Sequence, residues 1–404
     1  MKVLAIDDQQ LVLLPLKKKL RELGYTVKAE TNSLKGLELY DSFAPDLVIV
    51  DINMPGVSGI EIIKYIRQRR KSQIPIMVLS GNVDDEIITR SFELGVNDYM
   101  KKPLSLNEIC ARTKRLIGVP KIGNYRNKVS NVIIQQRCVG VVIPCYNEEE
   151  RLLSKEFLNF IETNSGYHLC FVNDGSTDAT LEVLKALRKG RKDYISVYDC
   201  NKNKGKAEAV RLGMLHMATY QDLDYIGFLD ADLSTDLSDF DDLVSTIENS
   251  KYKIVSGSRI SRMGANITKE SARQIISLSI NFVIRKILSM QFKDTQCGAK
   301  IFHKDVIELL FRERFITKWL FDVEIFMRMK KHFKISKARE MICEKPLKRW
   351  VHVDGSKLSM KDSIKIIWQL AKIAIVYSKN KKRVSKVSVD KLNCAISNTA
   401  LGKV

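Results

Sequence analysis

No stretch of this 404-residue chain reaches 18 uninterrupted apolar residues, so no segment is long enough to span a bilayer as a helix. Cys-x-x-Cys pairs and Cys/His clusters are also missing. The eight cysteines (Cys110, Cys138, Cys145, Cys170, Cys200, Cys297, Cys343 and Cys394) are scattered, which fits neither a disulfide framework nor a zinc site and points to a reducing, cytoplasmic setting. The opening residues, MKVLAIDDQQ, turn acidic after six positions and lack the apolar core of a signal peptide, so none is expected there. No internal repeat or low-complexity tract occurs. What remains is the composition of a soluble globular protein, 45% hydrophobic and 28% charged, and too long for one core of ordinary size. Two or three domains are expected.

The net charge of +20 is unevenly spread. Residues 326–404 carry 20 Lys/Arg against 5 Asp/Glu, a local +15, whereas residues 1–120 carry 18 against 15. A basic end of this kind attracts phosphate-bearing partners, either nucleic acid or an anionic membrane face.

Short apolar runs alternate with amphipathic helical patterns over the first 118 residues. Strands are predicted at 3–7, 26–30, 46–51, 74–80 and 98–102, with helices at 10–23, 33–43, 59–70, 84–94 and 105–117. Pro15 should kink the first helix or shorten its opening turns. Five strand–helix repeats give a doubly wound α/β sheet. A Gly-, Asn- and Lys-rich run, within 119–135, reads as a linker. Alternation resumes with strands at 139–147, 169–174, 194–199, 225–232 and 252–259. A second doubly wound α/β domain, over 136–350, therefore follows and ends in a more helical, basic region.

In an open parallel sheet, ligands sit beyond the carboxyl ends of the strands. The first domain's strands end in Asp7-Asp8, Asp51, Ser80 and Lys102. Three carboxylates at one edge repel one another, and Mg²⁺ relieves that repulsion while neutralising an incoming phosphoryl group. Asp51 is a competent phosphoryl acceptor, Ser80 can donate to a phosphoryl oxygen and Lys102 supplies a point charge. The acidic pair, DINMPG around Asp51, LSG at Ser80 and KKP at Lys102 closely resemble the response-regulator receiver family, whose CheY-like fold is flavodoxin-like. The resemblance implies aspartyl phosphorylation of Asp51 by a sensor histidine kinase or phosphotransfer protein. It further implies metal ligation by Asp7, Asp8, Asp51 and the Asn53 carbonyl, Tyr99 as an aromatic switch, and a homodimer through the receiver.

The second domain carries four local signals. VVIPCYNEEE (141–150) is a strand entering a polar loop, and FVNDGSTDAT (171–180) is a strand ending in an acid before a turn and helix cap. NKGKAEAV (203–210) opens a helix with glycine and lysines, suited to phosphate oxygens. FLDADLSTD (228–236) sets Asp230 and Asp232 at a strand end, where the pair can hold Mg²⁺ or Mn²⁺ between a nucleotide's phosphates. Their order and spacing resemble the GT-A nucleotide-diphospho-sugar transferase fold of the inverting glycosyltransferase family 2. SGSR (256–259), DTQCGAKIF (294–302), KWLFDVEIF (318–326) and HVDGSKL (352–358) narrow the likeness to dolichyl- and polyprenyl-phosphate β-glucosyltransferases, with the mannosyl enzymes next. That resemblance implies a nucleotide pocket lined by Pro144, Tyr146, Asn147 and Glu149, and Asp174 facing the base. It places Asp230 and Asp232 at the metal, Lys206, Arg259 and Lys300 at phosphates, Asp294 beside the reacting centre and Lys357 near the acceptor. Ala299 replaces a usual aromatic residue, and DADLSTD lies between the glucosyl and mannosyl patterns, so UDP-glucose and GDP-mannose both stay open as donors, glucose favoured.

The expected chemistry is one in-line displacement at the anomeric carbon, with the leaving nucleoside diphosphate stabilised by the metal and by Lys206 or Arg259. A polyprenyl phosphate acceptor is already anionic at pH 7 and needs no general base, whereas an alcohol would. Residues 275–292 and 361–377 are apolar but interrupted by Arg285, Lys286, Lys365 and Lys372, with Trp368 between. Such helices can lie in the membrane interface rather than cross it, and the basic run at 379–383 favours anionic headgroups. A peripheral, membrane-proximal helix over 351–383 and a flexible tail over 384–404 are expected, on the inner face of the cytoplasmic membrane. Two other readings compete: a response regulator whose transferase-like half only binds nucleotide sugar or lipid, and a DNA-binding regulator. The second is disfavoured because no helix-turn-helix-sized domain follows the linker and the basic charge falls on apolar helices, so nucleic acid is not an expected partner.

Overall fold

Runs such as Val3–Ile6 and Leu47–Val50 are apolar on both sheet faces, which demands helices above and below and hence a parallel sheet. The computed structural model describes residues 1–404 except 82–83, 121–132, 261–265, 268–270, 351–359 and 380–404. Most of the expected linker, the HVDGSKL segment with Lys357, the basic run beyond Lys379 and the expected tail lie outside the described residues. The chain divides into two units: Met1–Asn201 with His216–Gly227, and Lys202–Leu215 with Phe228–Val404.

The first unit opens with β1 (Lys2–Ile6), α1 (Gln10–Glu22), β2 (Thr26–Glu30), α2 (Ser33–Phe43) and β3 (Leu47–Val50). There follow α3 (Gly59–Lys64), extended by a π turn over Tyr65–Arg69, β4 (Ile76–Ser80), α4 (Asp85–Glu93), β5 (Asp98–Lys101), β6 (Leu104–Ser105) and α5 (Leu106–Ile117). The sheet order is β2-β1-β3-β4-β5, parallel throughout. The order reverses at β1 and β3, which opens the ligand crevice beyond their carboxyl ends. Helix starts are fixed by Asn32, Ser58 (a full capping box with Glu61), Asp84 and Ser105. Pro15 does not shorten α1 as expected. The helix runs unbroken, because the Leu11 carbonyl that Pro15 cannot serve instead accepts from Ser165 Oγ at 3.4 Å.

The same unit continues with β7 (Ile133–Cys145), α6 (Ser154–Thr163), β8 (Asn164–Asn173), α7 (Thr180–Arg188) and β9 (Ile195–Asp199). β7, β8 and β9 pair in parallel, and β6 adds antiparallel to the start of β7, with Leu104 opposite Ile134. That pairing is why β7 begins six residues before the expected strand at 139. Two elements cross the boundary between units along the chain, α8 (Lys206–Ala218) and β10 (Tyr225–Leu229).

The second unit holds α9 (Leu237–Glu248), β11 (Ile254–Ser258), β12 (Asn266–Ile267), α10 (Ser271–Leu288), β13 (Ala299–His303) and α11 (Ile307–Phe311). It ends with α12 (Phe321–Phe333), α13 (Ile335–Glu340), β14 (Ile342–Pro346), β15 (Arg349–Trp350) and α14 (Met360–Lys379). β11 pairs antiparallel with β13 and parallel with β14, two strands that the helical reading of this region did not foresee. α14 is pinned to α12, where Arg328 Nε donates to the Tyr377 hydroxyl at 2.9 Å.

Candidate functional site

At the crevice of the first sheet, carboxylate oxygens of Asp7, Asp8 and Asp51 all lie within 4.8 Å of one another. Lys102 Nζ donates to Asp7 Oδ2 at 2.7 Å and stands 3.9 Å from Asp51 Oδ1. Burial pushes Asp51 up to about 6, helped by Asp7 and Asp8 and opposed by Lys102. Asp8 is likewise pushed up to about 6 by burial, then by Asp7. Burial alone would lower Lys102, but Asp7 and Asp51 outweigh it and raise the ammonium's pKa. One lysine therefore faces three carboxylates, and Asp51 Oδ1 is buried with no hydrogen-bond partner. That orphaned oxygen and its acidic neighbours fit a hard divalent cation.

Gly59 brings α3 against Asp51, since a Cβ there would lie 2.1 Å from the Asp51 carbonyl. Ser80 is buried at the end of β4, and its side chain hydrogen-bonds with the Tyr99 hydroxyl, whose pKa burial raises. Asn53 is exposed in the loop after β3.

At the end of β7, Asn147 adopts a left-handed backbone (φ 53°) and braces the facing loop. Its Oδ1 accepts from Thr177 N at 2.9 Å, while its own N–H donates to Ser176 Oγ at 3.1 Å. Glu149 Oε2 accepts from Ala179 N at 3.0 Å. The two polar residues of the expected pocket thus fasten the loop. Tyr146 stands exposed beside them, Pro144 is half-buried, and Asp174 is buried with its N–H donating to Cys145 O at 2.9 Å.

In the second unit, Lys206, the first residue of α8, ion-pairs with Asp230, which raises its pKa against the effect of burial. Asp232 Oδ1 accepts from Ser234 N at 2.9 Å. Gly298 lies under Asp230, where a Cβ would fall 2.0 Å from Oδ2. Arg259 holds Asp294 in a two-pronged pair at 2.7 and 2.8 Å, and its backbone N–H adds a third bond at 2.9 Å. Against burial, these contacts keep Asp294 down at about 2. The Asp294 backbone N–H in turn donates to Glu344 Oε1 at 2.6 Å.

The expectation that Lys300 reaches phosphates is corrected. Its ammonium is fully buried and donates to Asp322 Oδ1 and Cys297 O, both at 2.7 Å, so it is committed to the interior. Asp322 and Gly298 are two further residues of the site that no local pattern in KWLFDVEIF or DTQCGAKIF sets apart. In the structure Gly298 lies between buried Cys297 and Ala299, next to the buried Lys300. Among the described residues no helix is long and apolar enough to cross a membrane. Phe282 on α10 and Ile367, Trp368, Ile375 and Val376 on α14 are nonetheless exposed, Trp368 at 67%.

Comparison with known proteins divides the chain between residues 114 and 140, within the first compact unit. The response regulator receiver domain model matches residues 3–114, and the glycosyl transferase family 2 model matches residues 140–311. A dolichyl-phosphate beta-glucosyltransferase of Drosophila melanogaster is 32% identical over 55% of this chain and 69% of its own. That of Saccharomyces cerevisiae is 32% identical over 60% and 78%, and that of Trichomonas vaginalis, ALG5D, is 30% identical over 60% and 74%. Among solved structures, a two-component response regulator from Clostridium difficile is 27% identical over 29% of this chain and 94% of its own, with a TM-score of 0.28. The chain is a glycosyltransferase that carries a response regulator receiver domain ahead of a family 2 domain, and it belongs to the family of the dolichyl-phosphate beta-glucosyltransferases.

Proposed function

We propose that the chain is a phosphorylation-controlled, inverting hexosyltransferase. It moves a hexose, glucose favoured over mannose, from a nucleotide sugar to a polyprenyl phosphate at a membrane surface. The observation that carries this reading is the pair of charged sites retained in one chain of this family: Asp7, Asp8, Asp51 and Lys102 in the receiver, and Asp230 with Lys206 in the transferase.

In the receiver, Asp51 takes the phosphoryl group from a sensor histidine kinase or a phosphotransfer protein. Asp7, Asp8 and Asp51 would hold Mg²⁺, which screens the charge of the incoming phosphoryl. Lys102 and Ser80 take the new phosphoryl oxygens, and the Ser80–Tyr99 bond makes Tyr99 responsive to that change. In the transferase, Asp230 and Asp232 would hold Mg²⁺ or Mn²⁺, with donor phosphates completing the shell. Lys206 is the cation placed to receive the leaving diphosphate once it releases Asp230. Asp294, locked by Arg259, orients rather than abstracts a proton, which suits an acceptor that is already an anion.

The exposed apolar side chains of α14, interleaved with Lys365 and Lys372, support docking on an anionic membrane. The test is to incubate the chain with polyprenyl phosphate, divalent metal and labelled UDP-glucose or GDP-mannose, with and without acetyl phosphate, and to extract lipid. A labelled glycolipid whose yield follows Asp51 phosphorylation is expected. No lipid-linked sugar from either donor would defeat the reading.

A further inference from the structure

Helix α1 starts without a side-chain cap. Its N-cap residue is Gln9, a poor choice beside Ser, Thr, Asp or Asn, and its amide bonds elsewhere. Gln9 is buried, and Nε2 donates to Asp224 Oδ2 at 2.7 Å. Its backbone N–H donates to Asp7 Oδ1 at 3.0 Å, so one residue touches both a receiver carboxylate and an aspartate 215 positions away.

Asp224 is itself fixed. Its N–H donates to Cys138 O at 2.9 Å, its Oδ2 accepts from Cys138 N at 3.0 Å, and Arg137 Nη1 stands 3.8 Å from its Oδ1. Its negative charge is among those felt by Asp8. A second tie leaves the site at Lys102, two residues after which Leu104–Ser105 joins the ladder with Ile133–Ile134.

We infer that Asp224, which belongs to the transferase part of the sequence, is a positioning residue of the receiver's phosphoacceptor site. Through Gln9 it fixes the Asp7–Asp8 segment in register for a cation, and it adds a negative charge near that cation. Cation occupancy at the receiver is thereby linked to the transferase segment that carries Asp224, six residues before Asp230, and the linkage is reciprocal. This rests on the reading of Asp51 as phosphoacceptor.

The test uses the full chain and Mg²⁺ as the probe, with titration calorimetry as the main readout. Asp51→Asn serves as the reference that removes the receiver's share of the heat. Asp224→Asn keeps acceptors for Gln9 and Cys138 but drops the charge, so the receiver's Mg²⁺ dissociation constant should rise about two- to fivefold, the worth of one screened charge. Asp224→Ala and Gln9→Ala also free the tether and should weaken Mg²⁺ further. The double variant should be no worse than Asp224→Ala alone, because both changes cut one link. Gln9→Ala keeps the test open where Asp224→Ala folds poorly.

Unchanged Mg²⁺ affinity in Asp224→Asn and Gln9→Ala overturns the inference, and strictly additive effects overturn the route through Gln9. Labelling by acetyl phosphate, followed by phosphate-affinity electrophoresis, separately reports on Asp51. An unlabelled wild type would count against Asp51 as acceptor, while the Mg²⁺ titration still decides the role of Asp224.

Discussion

Replacing Lys102 by Met isolates what one buried ammonium does for the receiver. Its side chain and that of Asp7 are 3% and 4% exposed, so water screens little of their interaction. Removing one partner of such a pair costs about 3–5 kcal/mol, because the other charge is left buried and uncompensated. Here the cost falls on three clustered carboxylates, two of which burial and mutual repulsion already push up to about 6. Without divalent metal, Lys102→Met should therefore lose about that much of the receiver's stability, read by denaturant unfolding. Added Mg²⁺ should restore part of it, and should stabilise the variant more than the wild type, since no ammonium competes for the carboxylates. Equal stability of the two proteins without metal, or an equal Mg²⁺ increment in both, would refute the placement of Lys102 as the counter-charge of this cluster.

His168 offers a pH test. Burial brings it down to about 4 in the folded chain, against about 6.5 when unfolded. The His168 contribution to stability should be full above pH 6.5 and drain as pH falls towards 4, by about 3 kcal/mol, while Asp8 and Asp51 act in the opposite sense over the same range. The difference between wild type and His168→Phe in denaturant titrations should isolate that loss. Gly298→Ala forces Asp230 aside and should cut sugar transfer at least tenfold while the thermal transition stays in place, as initial rates and melting curves would show. Asp294→Asn should lower the rate without adding or removing a limb in the pH–rate profile between pH 5 and 9, because a carboxyl held at about 2 does not titrate there. Trp368→Ala combined with Lys372→Ala should reduce co-sedimentation with anionic vesicles about fivefold and leave neutral-vesicle binding low throughout.

The receiver was readable because its central strands β1, β3 and β4 are apolar on both faces and because β1, β3, β4 and β5 run directly into chemically active side chains. Periodicity placed the strands, and strand ends placed Asp7, Asp51, Ser80 and Lys102. The transferase half was readable in its parallel strands but not in β13 and β14, whose Ala299–His303 and Ile342–Pro346 runs lack a clean alternation and depend on partners distant along the chain. Pairing partners were hidden for the same reason. Nothing local to Lys300 announces Asp322, and nothing local to Gln9 announces Asp224, because hydrogen bonds that span long stretches of sequence are fixed by the fold. Pro15 shows the converse: the local rule was right about the lost bond, but the helix is not shortened, and the Leu11 carbonyl accepts from Ser165, a partner distant along the chain.

A common logic joins the two sites. Lys102 with Asp7, Lys206 with Asp230, Arg259 with Asp294 and Lys300 with Asp322 are four cation–carboxylate pairs. They are not equivalent. Lys300 and Asp322 are sealed from solvent and Arg259 holds Asp294 by two prongs, so opening either leaves an unpaired charge in the interior. Lys206 and Asp230 are partly exposed, and Lys102 serves three carboxylates at once. Under the proposed function only these last two pairs have new partners to turn to, a metal ion for the carboxylate and a phosphate oxygen for the lysine, and at the buried Lys102 those partners offset the cost of opening. On that reading the same exchange would answer a phosphoryl group at Asp51 and a nucleotide diphosphate at Asp230. Metal alone can engage the carboxylates while the lysine stays beside them, and a phosphate then completes the exchange by taking the lysine.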